Sequence, residues 1–149
     1  MRPTTSITRN EAETIAVARR LASELQPGTA VLLHGDLGTG KTVFVRGLAE
    51  GLGADPTDVS SPTFTLCQQY DGRVTLHHVD LYRLTPSEVD DLGLDELLAG
   101  EGITAIEWPE RLVRPPLRAI DVWLDDDGDD VRRIRIEAPP PDSHRHSSR

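Results

Sequence analysis

Ala30-Val31-Leu32-Leu33-His34-Gly35-Asp36-Leu37-Gly38-Thr39-Gly40-Lys41-Thr42-Val43-Phe44 is the stretch whose reading decides the fold. Ala30 to His34 form a short apolar run of the kind that buried strands carry. From Lys41 to Leu52 the chain sets Phe44, Leu48 and Leu52 on one helical face, and Gly53 supplies a stop. Between strand and helix, Gly35 to Thr42 fit G-x-x-x-x-G-K-[ST]. Its glycines let successive backbone N–H groups curl inward around phosphate with no Cβ in the way. A random chain of this length would match the pattern roughly once in two hundred, at average residue frequencies. The expected nucleotide contacts are therefore Asp36, Leu37, Gly38, Thr39, Gly40, Lys41, Thr42 and Val43. Lys41 is placed to reach the β- and γ-phosphates, and Thr42 to offer its hydroxyl to magnesium. Gly47, inside the helix, costs up to ~1 kcal/mol relative to alanine, which predicts close packing on the sheet.

Working outward, Ile15, Ala18, Ala22 and Leu25 recur at helical spacing over residues 10–25, and Pro27-Gly28 ends that helix. A loop follows the central helix from Asp55 to Pro62. Thr63 to Tyr70 and Arg73 to Leu81 read as strands, with Asp71-Gly72 between them as a two-residue hairpin signal. Thr85-Pro86-Ser87-Glu88 is a helix start with a capping box, and the helix breaks near Gly93. Ile103 to Ile106 are another strand, leading into Glu107-Trp108-Pro109. Ile120 to Leu124 and Val131 to Ile136 predict a last hairpin across an acidic tip. The order implies an α/β, three-layer P-loop NTPase fold with a mixed, mainly parallel sheet. Residues 1–137 are expected to form one domain. Residues 138–149, apolar only in their alanine and prolines, are expected to be disordered.

Asp80 and Glu107 each end a predicted strand, where ligands gather in open α/β sheets. Beside a P-loop such acids hold magnesium, directly or through water, or orient the attacking water. Alone, either would read equally as a solvated strand end. Trp108 stays open between a core or interface role and a place beside the nucleotide. Ser61-Pro62-Thr63 reads either as turn chemistry or as a switch-like threonine near the γ-phosphate. His34, His77 and His78 lack a metal-site spacing and read as structural. The run Asp125 to Asp130 puts Trp123 and Ile134 where a calcium loop needs acids, and so reads as a solvated hairpin tip.

The 149 residues suit one domain, and a single cysteine, Cys67, excludes an internal disulfide. The N-terminus lacks the apolar core of a signal peptide, and no apolar run approaches the ~20 residues that span a bilayer. A soluble, cytoplasmic protein with no membrane role is expected. A formal net charge of -9 argues against a direct grip on a nucleic-acid backbone. The sequence holds 15 arginines and one lysine, Lys41, which stands where a P-loop requires it.

The strings GDLGTGKT, SPTFTL, HVDLYRL and EWPE, in this order and spacing, closely resemble the bacterial TsaE family, also called YjeE. The resemblance covers roughly residues 5–137. It implies an ATP- and Mg2+-dependent ATPase subunit that supports formation of threonylcarbamoyladenosine in tRNA. Its implied partners are TsaD-like and TsaB-like proteins, with tRNA reached only through that complex. It assigns catalytic roles to Lys41, Glu107 and Asp80. It places Trp108 with the nucleotide, and Thr42, Glu107, Asp80 and Thr63 around the metal. Thr39 departs from the usual alanine, and Val43 from a second threonine. The alternative is a small-molecule P-loop kinase, which would need a second-substrate site and a mobile lid carrying arginines.

Overall fold

The computed structural model describes residues 2–36, 40–55, 57, 59–60 and 67–138. The motif residues Leu37, Gly38 and Thr39, the Ser61-Pro62-Thr63 segment and the tail from 139 onward lie outside them.

The central strand β2 is Ala30–His34, buried from Ala30 to Leu33. It pairs in parallel with β6 (Ile103–Glu107) on one side and with β7 (Ala119–Gly128) on the other. Strand β5 (Leu76–Asp80) continues the parallel centre beyond β6. The flanks are antiparallel: β4 (Cys67–Tyr70) and β3 (Val59–Ser60) beyond β5, β8 (Val131–Glu137) and β1 (Thr4–Thr8) beyond β7. The strand order is β1-β8-β7-β2-β6-β5-β4-β3. The sheet is thus mixed and parallel around β2, as the sequence predicts, with the parallel part confined to four central strands.

Helices cover both faces. Helix α1 (Glu11–Glu24) starts where the Asn10 side chain accepts a hydrogen bond from the Glu13 backbone N–H at 2.9 Å. It packs Val17, Ala18, Leu21 and Ala22 with helix α2 (Lys41–Gly51) over Val31, Leu33, Leu76 and Ile103. On the opposite face, helices α3 (Pro86–Asp90) and α4 (Leu94–Ala99) cover Leu32, Val79, Leu81 and Ile106. Thr85 closes the predicted capping box, and Gly93 breaks the two helices apart in the left-handed region at φ 73°. Three layers result because successive strand residues point to opposite faces, and both faces here are apolar.

Four expectations are corrected. Gly47 does not pack on the sheet. A Cβ there would lie 2.6 Å from the Ala18 Cβ and 2.8 Å from the Ile15 carbonyl, so the glycine serves a close α1–α2 crossing. Asp71-Gly72 is not a two-residue hairpin, since Tyr70 faces Leu76 across a longer loop. That loop is tied to the end of α2: Arg73 N–H donates to the Leu52 carbonyl at 2.9 Å, and a Cβ on Gly72 would stand 2.2 Å from that oxygen. The acidic run is mostly strand. Asp125 to Gly128 extend β7, and only Asp129 and Asp130 make the turn, both at positive φ as a two-residue hairpin requires. Arg132 and Arg133 on β8 neutralise Asp126 and Asp127 at 3.1 and 3.0 Å. Finally, β1 and β3 were not read from the sequence as strands.

Candidate functional site

The parallel strands β2, β5 and β6 all run toward the same edge, and that edge carries the site. Alternation puts Asp80 on the same face of β5 as the core residue Leu76, and Glu107 on the same face of β6 as Ile103 and Ala105. Asp80 and Glu107 are directly paired in the β5–β6 register. Both therefore stand on the α2 face, beside the loop that leaves β2. Gly40 turns into α2 at φ 99°, a conformation glycine adopts without strain, and Lys41 and Thr42 open the helix.

Lys41 is buried although it is a lysine, with only 5% of its surface exposed. Its Nζ donates to the Gly35 carbonyl at 2.7 Å, lies 3.8 Å from Glu107 Oε1, and stands 4.5 Å from the centre of the Trp108 ring. Trp108 sits at φ 61°, an uncommon conformation for a bulky residue, and Tyr82 leans on its ring at 4.9 Å. Trp108 also packs on the α3–α4 core, which is the first of the two roles left open above. Glu107 is itself buried, and its second oxygen, Oε2, accepts a 2.6 Å hydrogen bond from His78 Nε2. Burial pushes the Glu107 carboxyl upward. The His78 hydrogen bond, the His78 charge and the Lys41 charge outweigh it and hold the group below its ordinary value. Asp80 uses one oxygen to accept the Tyr82 backbone N–H at 3.0 Å.

A cavity of about 700 Å³ opens over these groups. Gly40, Lys41, Thr42, Val43, Asp80 and Glu107 line it. Asn10, Glu11 and Thr14 at the start of α1, with Asp130 and Arg132 from the β7–β8 hairpin, complete the lining. Asp36 lies exposed at the exit of β2, outside the lining of the cavity. A polyphosphate entering here would meet the helix N-terminus and the lysine together, a ready anion site. Among the described residues no three His, Cys, Asp or Glu side chains form a metal cage. A magnesium ion suits that sparse set, because it is commonly held by one or two carboxylates, phosphate oxygens and water. Thr42, exposed on the first turn, and the two acids are the donors present.

Sequence reasoning did not find Asn10, Thr14, Arg132 or the role of His78. His78 carried a signal, since it precedes Asp80 by two residues and so shares its face. Arg132 carried none, because its approach to Gly40 depends on a tertiary contact between β8 and the loop. Arg111 is bonded to the Leu84 carbonyl and Arg114 to Asp95.

Fold and site together define a domain of the P-loop NTPase class. A family model described as threonylcarbamoyl adenosine biosynthesis protein TsaE matches residues 8–134, and the chain belongs to the TsaE family. The tRNA threonylcarbamoyladenosine biosynthesis protein TsaE of Bacillus subtilis is 42% identical over 131 residues, 87% of this chain and 82% of that one. Its counterpart from Synechocystis is 48% identical over 103 residues, 66% of this chain and 65% of that one. The crystal structure of YdiB from Bacillus subtilis superposes with a TM-score of 0.74 at 33% identity, covering 99% of this chain and 97% of that one. No helix among the described residues is long and apolar enough to cross a membrane.

Proposed function

We propose that this chain is an ATPase that binds ATP with Mg2+ and supports threonylcarbamoyladenosine formation in tRNA. It works in the cytoplasm with TsaD-like and TsaB-like proteins. The observation that carries the nucleotide reading is the convergence of Lys41, Thr42, Asp80 and Glu107 on one cavity at the ends of parallel strands. The process is inferred from the printed names of the relatives.

In this reading Lys41 leaves the Gly35 carbonyl and turns to the β- and γ-phosphates, and Thr42 and Asp80 serve the metal. Glu107 orients the attacking water or holds the metal with them. Thr63, outside the described residues, completes the metal set by resemblance. Bound magnesium would neutralise charge on the transferring phosphoryl group. Turnover by the chain alone is slow, since an arginine finger is worth ~10³–10⁵ in rate and the sequence marks none. The acidic surface leaves tRNA to the partners.

Multiple-turnover tRNA modification with purified components tests the proposal. Adding this chain should sustain repeated cycles, and Lys41→Ala should bind ATP at least tenfold more weakly and fail to sustain them. Equal cycling without the chain, or with the variant, would reject the role. A folded Lys41→Ala protein with unchanged ATP affinity by calorimetry would reject the site as well.

A further inference from the structure

We propose that His78 is the positioning residue for Glu107: it engages Oε2 so that Oε1 is the oxygen presented to the cavity. The inference rests on the ATPase reading for what Glu107 does, and on the geometry alone for how Glu107 is held.

A glutamate side chain has three rotatable bonds, and at a strand end it would sample several orientations. Here one orientation is selected. His78 lies on β5, the strand next to Glu107, two residues before Asp80 and on the same face. Its Nε2 meets Oε2 at 2.6 Å in a buried setting. The other oxygen, Oε1, is the one 3.8 Å from Lys41 Nζ, and both of these residues line the cavity. An imidazole in this place has a cost. The inner face of β5 is otherwise core at Leu76, and an apolar residue there would need no partner.

The lysine explains why a second partner for Glu107 is useful. Lys41 is shared between the Gly35 carbonyl, Glu107 and the Trp108 ring. When phosphate draws Lys41 away, Glu107 loses a neighbouring cation while still buried. His78 remains bonded to it, so the carboxylate keeps a hydrogen-bond partner and its direction through binding. Without His78, Glu107 would hold on to Lys41, and each group would occupy the other.

Three variants test this. His78→Leu removes the donor at similar bulk, His78→Gln restores an N–H donor near the place of Nε2, and His77→Gln alters the opposite face of the same strand. The expected result is a kcat for ATP lowered roughly 10–100-fold in His78→Leu, the range typical of outer-shell partners, with KM changed little. His78→Gln should recover most of that loss, and His77→Gln should match wild type. Calorimetry gives a readout apart from turnover. Mg2+ should tighten ADP binding to wild type and His78→Gln, and do so at least tenfold less for His78→Leu. Wild-type turnover and metal dependence in His78→Leu would overturn the proposal. So would equal damage in both His78 variants, which marks a packing role. Should wild type bind Mg2+ and ADP but hydrolyse no ATP, the ATPase reading fails, and the calorimetric comparison still decides the role of His78.

Discussion

Lys41 stands against the face of Trp108, and its ammonium perturbs the indole it covers. Trp123, the other tryptophan, is stacked on His34 at 3.9 Å in the β2–β7 pair and meets none of the catalytic candidates. ADP should therefore change the tryptophan fluorescence, and Trp108→Phe should remove that change. Full retention of the signal in the variant would separate Trp108 from the nucleotide. Glu107 gives a second prediction. Its folded pKa is held below the ordinary value, so its carboxylate stabilises the native state above the unfolded carboxylate range. That contribution disappears as pH falls through the depressed folded value. The stability gap between wild type and Glu107→Gln, read from denaturant midpoints, should be widest near neutral pH and close on acidification. A gap that widens with acid would contradict the assignment. That Lys41, Asp80 and Glu107 come together at one cavity was legible in the sequence because a motif or a strand end marks each. His78 was read as structural, because its partner Glu107 comes from another strand and its spacing to Asp80 shows a shared face without naming that partner.

Helices α1 and α2 meet through small residues, Ala18 and Ala22 on one and Gly47 and Gly51 on the other. A Cβ on Gly51 would stand 2.6 Å from the Ala22 Cβ, as close as the one on Gly47 to Ala18. On an exposed helix, glycine to alanine gains up to ~1 kcal/mol in propensity. Here the overpacking cost of about 1–3 kcal/mol opposes it. Gly47→Ala should lower stability, measured as a fall in the urea midpoint at unchanged slope; a rise would mean that α1 yields freely. Since α2 carries Lys41 at its first turn, the crossing also fixes the lysine relative to the sheet. The helices and the central strands were readable from periodicity alone, with α1, β2 and α2 close to their predicted bounds. What failed was local turn chemistry. Asp71-Gly72 has the dipeptide of a tight hairpin, yet the loop instead satisfies the carbonyl at the end of α2. The charged part of β7 failed in the other direction, because ladder pairing to arginines on β8 overrides the low strand propensity of aspartate.

Among the described residues all eight strands share one sheet, and both cores lean on its central strands. The described domain should accordingly unfold in a single transition, with far-ultraviolet circular dichroism and tryptophan fluorescence giving coincident urea curves. Separate midpoints would mean that a flank melts independently. The α/β class and the parallel centre were legible because the order of apolar segments prescribes crossovers. The edges were not, because a polar strand such as Thr4–Thr8 is defined by its neighbour and not by its own pattern. That neighbour is β8, with Thr4 opposite Ile136 and Thr8 opposite Arg132. Strand β1 thus waits for β8 to be translated before it can pair. The central strand waits too, since β6 and β7 flank it and both come late. Until then Ala30 to Leu33 remain an unpaired apolar segment on a growing chain, the kind of exposure that invites nascent-chain aggregation. The edge of the sheet that carries the candidate site is therefore assembled only after β6 and β7 have been made, however early its lysine was made.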